Sequence, residues 1–302
     1  MDKHFNIFFM KIIDGKATAA EIKSEIAKEV AEMIDKGKDA PHLAAVLIGE
    51  DPASQTYVSG KEKSCKEVGF ISSLYKFPTD ISEDELIKVV DFINKDDEIH
   101  GLIVQLPLPD HINVNKIIES IDPSKDVDGF HPLNVGKMVL NLPTYLPATP
   151  YGILQLFERY NIETAGKNCV VLGRSNIVGK PISILMSRKA YPGNCTVTVC
   201  HSKTKDLKKI CRTADILIAA IGSPGFVTAD MVKKDAVVID VGIHRVKSAK
   251  TKSGFKLVGD VKFDEVSKKC SYITPVPGGV GLMTIVSLLR NTMKAAKKEV
   301  YY

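Results

Sequence analysis

The sequence predicts a two-domain α/β protein: an N-terminal α/β catalytic domain, then a doubly wound parallel sheet. Three observations predict it. Short apolar runs alternate with helical patterns almost throughout the chain. A stretch rich in Asp, Pro, Gly and Asn, from Asp122 to Pro150, interrupts the alternation like a hinge. One strand of the second half also runs straight into a glycine-bearing turn that opens a helix.

The elements follow in order. The run FNIFFMKII (5–13) is apolar but short and has no signal-peptide cleavage pattern. It reads as a first strand or as sequence upstream of a start at Met10, with a targeting remnant as the weaker alternative. Ile22, Ile26, Val30 and Ile34 recur every four residues and predict one apolar helix face. LAAVLIG (43–49) is a buried strand. Asp51-Pro52 then opens a helix, with proline in the first turn where its missing N–H costs nothing. Ser82 and Glu85 form a capping-box pattern. GLIVQLPLP (101–109) is a second buried strand, and Thr149-Pro150 caps the helix TPYGILQLFERYN.

In the second half NCVVLG, TVTVC, DILIAAIG and AVVIDVGI are four buried strands with helices between them, a Rossmann-like pattern. The tail MTIVSLLRNTMKAAKK is one amphipathic helix that crosses back to the first domain. The expected division is 1–148 with the tail helix 283–302, and 149–282.

Composition narrows the function classes. The chain has 302 residues, 44% apolar and 25% charged, as in a packed water-soluble protein. Its net charge of +5 comes without any basic–aromatic interleaving, so nucleic acid is not an expected partner. A mild positive balance suits an anionic small molecule and equally an ordinary solvated surface. The six cysteines form no CxxC pair and no His pair stands at zinc spacing, so they read as reduced thiols in a cytoplasmic protein with no metal. No apolar run reaches the roughly 20 residues of a membrane helix.

Strand NCVVL leads into Gly173-Arg-Ser-Asn-Ile-Val-Gly179-Lys-Pro181. Glycine at the strand end permits a tight turn. The second glycine lets helix and strand approach, and the helix N-terminus offers N–H groups to a pyrophosphate. Ser175 stands where a GxGxxG turn has its second glycine, so a plain strand–turn–helix joint stays open on this segment alone. A Walker loop fails, because five residues separate the glycines and Pro181 replaces the magnesium-binding hydroxyl. The next strand ends in His201-Ser202-Lys203-Thr204, with no acid to hold a ribose 2′-hydroxyl. With Arg174 nearby, this favours NADP over NAD.

Tyr57 and Lys61 stand four apart, on one helix face, with Ser54 a turn earlier. A cleft-facing pair of this kind can stack a flat ring and move a proton. Spacing alone fits a surface pair on an amphipathic helix better. Gln105 sits inside an apolar run between Val104 and Leu106, and a buried amide needs partners. Asp122-Pro-Ser-Lys-Asp-Val-Asp128-Gly is an acidic turn whose carboxylates suit an amino-heterocycle, or simply the turn itself. Thr274-Pro-Val-Pro-Gly-Gly-Val-Gly281 is a proline-stiffened loop whose glycines allow close ligand approach.

YVSGK (57–61), VQLPLP (104–109), DPSKDVDG (122–129), PATPYG (147–152), GRSNIVGKP (173–181), CHSKT (200–204), DVGI (240–243) and PVPGGVGLMT (275–284) together resemble one family in order and spacing. It is the bifunctional methylenetetrahydrofolate dehydrogenase/methenyltetrahydrofolate cyclohydrolase family, and the resemblance runs from about residue 11 onward. It implies one-carbon metabolism, purine biosynthesis included, and a cytoplasmic homodimer acting on a folate with NADP. It also implies that Lys61 is the acid/base, Gln105 its hydrogen-bond partner, Tyr57 the stacking residue and Asp128 the pterin anchor. Val104, Leu106, Pro275, Gly278 and Gly279 would line the folate site. Gly173, Arg174, Ser175, Ser202 and Ile243 would hold NADP, with Thr284 nearby. Two positions depart from the family pattern: Ala148, often Cys, and Leu282, usually Pro, which puts folate affinity in question. Two rivals remain: a two-domain NADP dehydrogenase of the shikimate or amino-acid type, and a catalytically dead nucleotide-binding regulator.

Overall fold

The computed structural model describes residues 10–251 and 254–301. The part of the opening apolar run before Met10 lies outside the described residues. The first half comprises β1 (Lys11–Ile12), α1 (Gly15–Asp35), β2 (His42–Ile48), α2 (Pro52–Glu67), β3 (Ile71–Phe77), α3 (Glu83–Asn94), β4 (Gly101–Val104), α4 (Val114–Ser120) and α5 (Pro132–Val139). After it come α6 (Ala148–Arg159), β5 (Asn168–Leu172), α7 (Gly179–Ser187), β6 (Thr196–Cys200), α8 (Leu207–Cys211), β7 (Ile216–Ala219) and β8 (Val237–Asp240). The chain ends with β9 (His244–Lys247), β10 (Phe255–Val258), α9 (Phe263–Val266), β11 (Tyr272–Ile273) and α10 (Val280–Ala296).

Two compact units result. Among the described residues, one holds Ala19–Tyr151 and those from Thr284 on; the other holds those of Gly152–Met283 and those up to Thr18. The described residues before Ala19, expected with the catalytic half, cluster instead with the nucleotide-type unit. The reason is a strand pairing: β1 adds in parallel to β11, with Lys11 opposite Tyr272 and Ile12 opposite Ile273.

The lysine-bearing unit is built on a parallel three-stranded sheet of order β3-β2-β4. Its core joins Ala44, Val46, Leu86, Val90, Leu102 and Ile117 across sheet and helices. The capping box forms as the sequence indicates, with Ser82 accepting from Glu85 N while the Glu85 carboxylate takes Ser82 N. Edge strand β3 lacks a clear apolar alternation and was not legible in the sequence. The face of α1 needs correction. Ile22, Ile26 and Val30 are buried, but Ile34 is 50% exposed and Met33 takes its place in the core. A strict four-residue step overshoots the helical repeat by about 40°, so the third step has left the face.

In the other unit the six-stranded sheet runs β1-β11-β8-β7-β5-β6, all parallel. From β5 the chain goes outward to β6 and then returns to the far side of β5 as β7. That reversal opens a crevice beyond the ends of β5 and β7, where open α/β sheets take ligands. A β9–β10 hairpin stands apart from this sheet.

Candidate functional site

Asp51 caps α2 by accepting from Ser54 N at 2.7 Å, with Pro52 in the first turn. This fixes the helix that carries Tyr57 and Lys61. The Lys61 side chain is buried, not on the surface, with its ammonium nitrogen 5.1 Å from the centre of the Tyr57 ring. Lys61 Nζ donates to Gln105 Oε1 at 3.1 Å. The strand β4 ends at Val104, earlier than the apolar run suggests, so Gln105 stands one residue beyond it. Its backbone N–H still bonds Val46 O at 2.9 Å, and its Nε2 donates to Leu106 O at 2.6 Å. With the amide nitrogen committed, the amide oxygen must face the lysine.

Burial lowers the Lys61 pKa, while the negative charge of Asp128 opposes that shift. The reciprocal holds at Asp128: burial raises its carboxyl and Lys61 pulls it down. Burial also raises the Tyr57 phenol, whose hydroxyl is hydrogen-bonded with Thr284. The Thr284 hydroxyl in turn meets Thr149 Oγ1 at 2.9 Å. Thr284, grouped with the cofactor in the sequence reading, therefore lies in the lysine-bearing unit beside Tyr57. Thr149, expected as a helix cap, bonds Thr284 instead.

The acidic turn divides its labour. Asp122 Oδ1 accepts from the backbone and hydroxyl of Ser124, at 2.8 and 2.6 Å. Asp126 is buried, accepts from Phe130 N, His131 N and Asn134 Nδ2, and is pushed up to about 7 by burial. Of the three, Asp128 is the one whose charge acts on Lys61. Asn291 of α10 donates to Val127 O at 2.8 Å and Leu146 O at 2.9 Å, pinning both segments that flank the site. Its own buried Oδ1 has no partner. Neither Asp126 nor Asn291 carries a sequence signal, since a mid-helix Asn and a turn Asp look ordinary.

In the other unit Gly173 adopts a φ of 114°, and a Cβ there would stand 2.1 Å from Ala220 O. A Cβ on Gly179 would stand 2.3 Å from Gly173 O. Both glycines are therefore required for the turn and its helix to approach each other. Ser175 Oγ accepts from Val178 N and Gly179 N, each at 3.2 Å, so these two amides of the helix start serve the turn itself.

Gly173, Arg174, Ser175, His201 and Ser202 line a cavity of about 410 Å³, closed on its apolar side by Leu207, Ile221 and Phe226. No acidic residue is among the described residues that line it. His201 Nδ1 accepts from Lys203 N, and Thr204 Oγ1 accepts from His201 N, which shapes the loop around Ser202. A larger cavity, about 700 Å³, opens against β10 and α9, with Asp240, Asp264 and Glu265 alongside Lys256 and Lys262 in its lining.

Ile243 is half exposed, and a Cβ on Gly281 would meet its Cδ1 at 2.6 Å. Pro275, Gly278 and Gly279, assigned to the substrate from the sequence, lie in the same unit as the turn, not with Lys61. Their loop is held by Lys16 N donating to Gly278 O at 3.0 Å. It packs so tightly that a Cβ on Gly15 would fall 2.1 Å from Gly279 O. All six cysteines are buried free thiols. Among the described residues no cluster has the makeup of a metal site, and no helix is long and apolar enough to cross a membrane.

Comparison with known proteins gives consistent findings. Residues 13–128 match the catalytic-domain model of tetrahydrofolate dehydrogenase/cyclohydrolase, and residues 147–300 match its NAD(P)-binding-domain model. The chain is 63% identical over 292 residues to the bifunctional protein FolD of Bacteroides fragilis, covering 97% of this chain and all of that one. The FolD methylenetetrahydrofolate dehydrogenase/cyclohydrolase of Campylobacter jejuni superposes with a TM-score of 0.90 at 49% identity, covering 96% of this chain and 99% of that one. The Trypanosoma brucei enzyme, solved with NADP cofactor and inhibitor, gives 0.91 at 37% identity, covering 97% and 99%. A shikimate dehydrogenase from Peptoclostridium difficile, at 14% identity and a TM-score of 0.51 over 85% of this chain and 92% of that one, shares the fold alone.

Proposed function

The chain belongs to the tetrahydrofolate dehydrogenase/cyclohydrolase family, and from that membership we propose that it carries out two successive reactions on one folate. It oxidises 5,10-methylenetetrahydrofolate to the 5,10-methenyl cation with NADP⁺, then hydrolyses the cation to 10-formyltetrahydrofolate. The carrying observation is the Lys61 amine, buried, held by Gln105 and under the charge of Asp128.

Hydrolysis needs a group that takes a proton from water and returns one to nitrogen. Burial keeps Lys61 below the usual lysine range, which favours the neutral amine, and a cationic substrate beside it favours that form further. Water adds to the methenyl carbon as Lys61 accepts its proton. The ammonium then protonates N5 as the carbon–N5 bond breaks and the hydroxyl proton leaves to solvent. The formyl group stays on N10. Gln105 aims the amine, Tyr57 stacks on the pterin, and Asp128 accepts from its amino edge. Val104 and Leu106 flank them, and Pro275, Gly278 and Gly279 supply further folate contacts.

NADP⁺, when bound, supplies the hydride acceptor. The cavity beyond β5 fits it: Gly173 in its wall cannot carry a Cβ, and cationic and hydroxyl groups line it without a carboxylate. Gly173, Arg174, Ser175, Ser202 and Ile243 would hold it; Arg174 and Ser202 suit a 2′-phosphate. Oxidation itself removes a hydride and no proton, so it places less demand on Lys61 than hydrolysis does. We further place the protein as a cytoplasmic homodimer, which sedimentation of the purified protein tests.

The experiment is NADP⁺ reduction with 5,10-methylenetetrahydrofolate, run beside NAD⁺ and followed at the NADPH and methenyl absorbance bands. NADPH with little lingering methenyl product is expected. Absence of reduction with either cofactor would sink the folate reading and leave the regulator alternative.

A further inference from the structure

Asp260 is completely buried, yet its carboxylate takes no part in any reaction step above. Four donors converge on it. Oδ2 accepts from Ile221 N at 2.8 Å and Gly222 N at 3.1 Å. Oδ1 accepts from Ser223 N at 2.8 Å and from His244 Nε2 at 2.8 Å. A carboxylate only accepts, so the proton of that last bond sits on Nε2 when Asp260 is ionised. Three successive backbone N–H groups turned to one point form a nest of the kind that binds anions. Here the chain's own carboxylate fills it.

The two loops so held matter for the cofactor. Ile221 and Ser223 line the nucleotide cavity, and Ile243 stands between Gly242 and His244. The arrangement is built closely: a Cβ on Gly242 would stand 2.5 Å from Asp260 Oδ1. A second carboxylate, Asp240, fixes Asp260 itself by accepting from Asp260 N at 2.8 Å, Val261 N at 2.9 Å and Gly242 N at 3.0 Å.

We propose that Asp260, with His244, is a positioning residue for NADP: it ties the Ile221–Gly222–Ser223 loop to the Ile243 loop and so sets the two walls between which the dinucleotide lies. A corollary follows. The amides of residues 221–223 are already spent on Asp260, so the cofactor's phosphates must draw on Arg174 and on those amides of the Gly173 turn that Ser175 leaves open. This rests on the NADP reading above.

The test compares Asp260→Asn, His244→Ala and the unaltered protein in both half-reactions. An Asn in place of Asp260 puts an NH₂ where an acceptor is needed, so the KM for NADP⁺ is expected to rise by about tenfold or more, the scale of losing a charge-assisted hydrogen bond. His244→Ala, which removes one donor and leaves the carboxylate, is expected to raise it by a few-fold. Cyclohydrolase turnover of supplied methenyltetrahydrofolate needs no cofactor, and its acid/base Lys61 with Gln105 and Asp128 lies in the other unit. It is expected to hold within about twofold, a split that a merely structural role would not produce. Equal losses in both half-reactions, or an unchanged KM for NADP⁺ in both variants, would overturn the proposal. If Asp260→Asn does not fold, His244→Ala decides by the same split. Failure of the unaltered protein to reduce NADP⁺ is a separate result, and strikes the cofactor reading itself.

Discussion

Replacing Gln105 with Glu tests the lysine chemistry most directly. The amide oxygen that faces Lys61 at 3.1 Å becomes one oxygen of a carboxylate, in a place where Lys61 is buried. An opposite charge within about 4–6 Å raises a lysine pKa by about 1–3 units, and each unit is worth about 1.4 kcal/mol. The working form for hydrolysis is the neutral amine. Raising the Lys61 pKa therefore moves the acid limb of cyclohydrolase turnover to higher pH by about 1–3 units. At a fixed pH on that limb the rate falls by about 10- to 1000-fold, and it recovers as the pH is raised past the new pKa. Gln105→Met supplies the opposite sign. It removes the acceptor that favours the ammonium, so the limb moves to lower pH. The assay follows the methenyl absorbance band across pH, with the non-enzymatic rate subtracted. If both variants lose turnover by one factor at every pH, Gln105 only orients Lys61, and the protonation argument is refuted.

Other outcomes are expected. Lys61→Ala should abolish hydrolysis while NADP still binds, measured by fluorescence titration with NADPH; normal cyclohydrolase turnover would remove Lys61 from its role. In Gly179→Ala the new Cβ would fall 2.3 Å from Gly173 O, so the turn must shift. Overpacking of this kind costs about 1–3 kcal/mol. The KM for NADP⁺ should therefore rise about tenfold or more, with cyclohydrolase turnover unchanged. Ser202→Asp sets a carboxylate beside the site assigned to the 2′-phosphate. NADP⁺ should weaken by about 10- to 100-fold through like-charge repulsion while NAD⁺ changes little, as paired kcat/KM values would show.

Local patterns determined much of this protein. Buried β2 and β4, the Asp51 cap, the Ser82–Glu85 box and the four strands around Gly173 are read from neighbouring residues, because caps, turns and periodic apolar faces act over a few positions. The Tyr57–Lys61 spacing and the glycines at 173 and 179 were visible for the same reason, and the family motifs assigned chemistry to them. What the sequence by itself left undecided depends on groups far apart in the chain. Spacing favoured a surface Lys61; in the fold its side chain is buried, and Gln105, forty-four positions on, gives its amine a partner. The three carboxylates of the acidic turn look equivalent in sequence. Bonds within the turn and just after it commit Asp122 and Asp126, and the long-range approach of α2 brings Asp128 under the charge of Lys61. Thr284 joins Tyr57, and β1 joins β11, through contacts that no short window contains. Apolar periodicity reports which side chains leave water, but the partners of buried polar groups are chosen only once the chain has closed on itself, because an unpaired one costs about 1–3 kcal/mol.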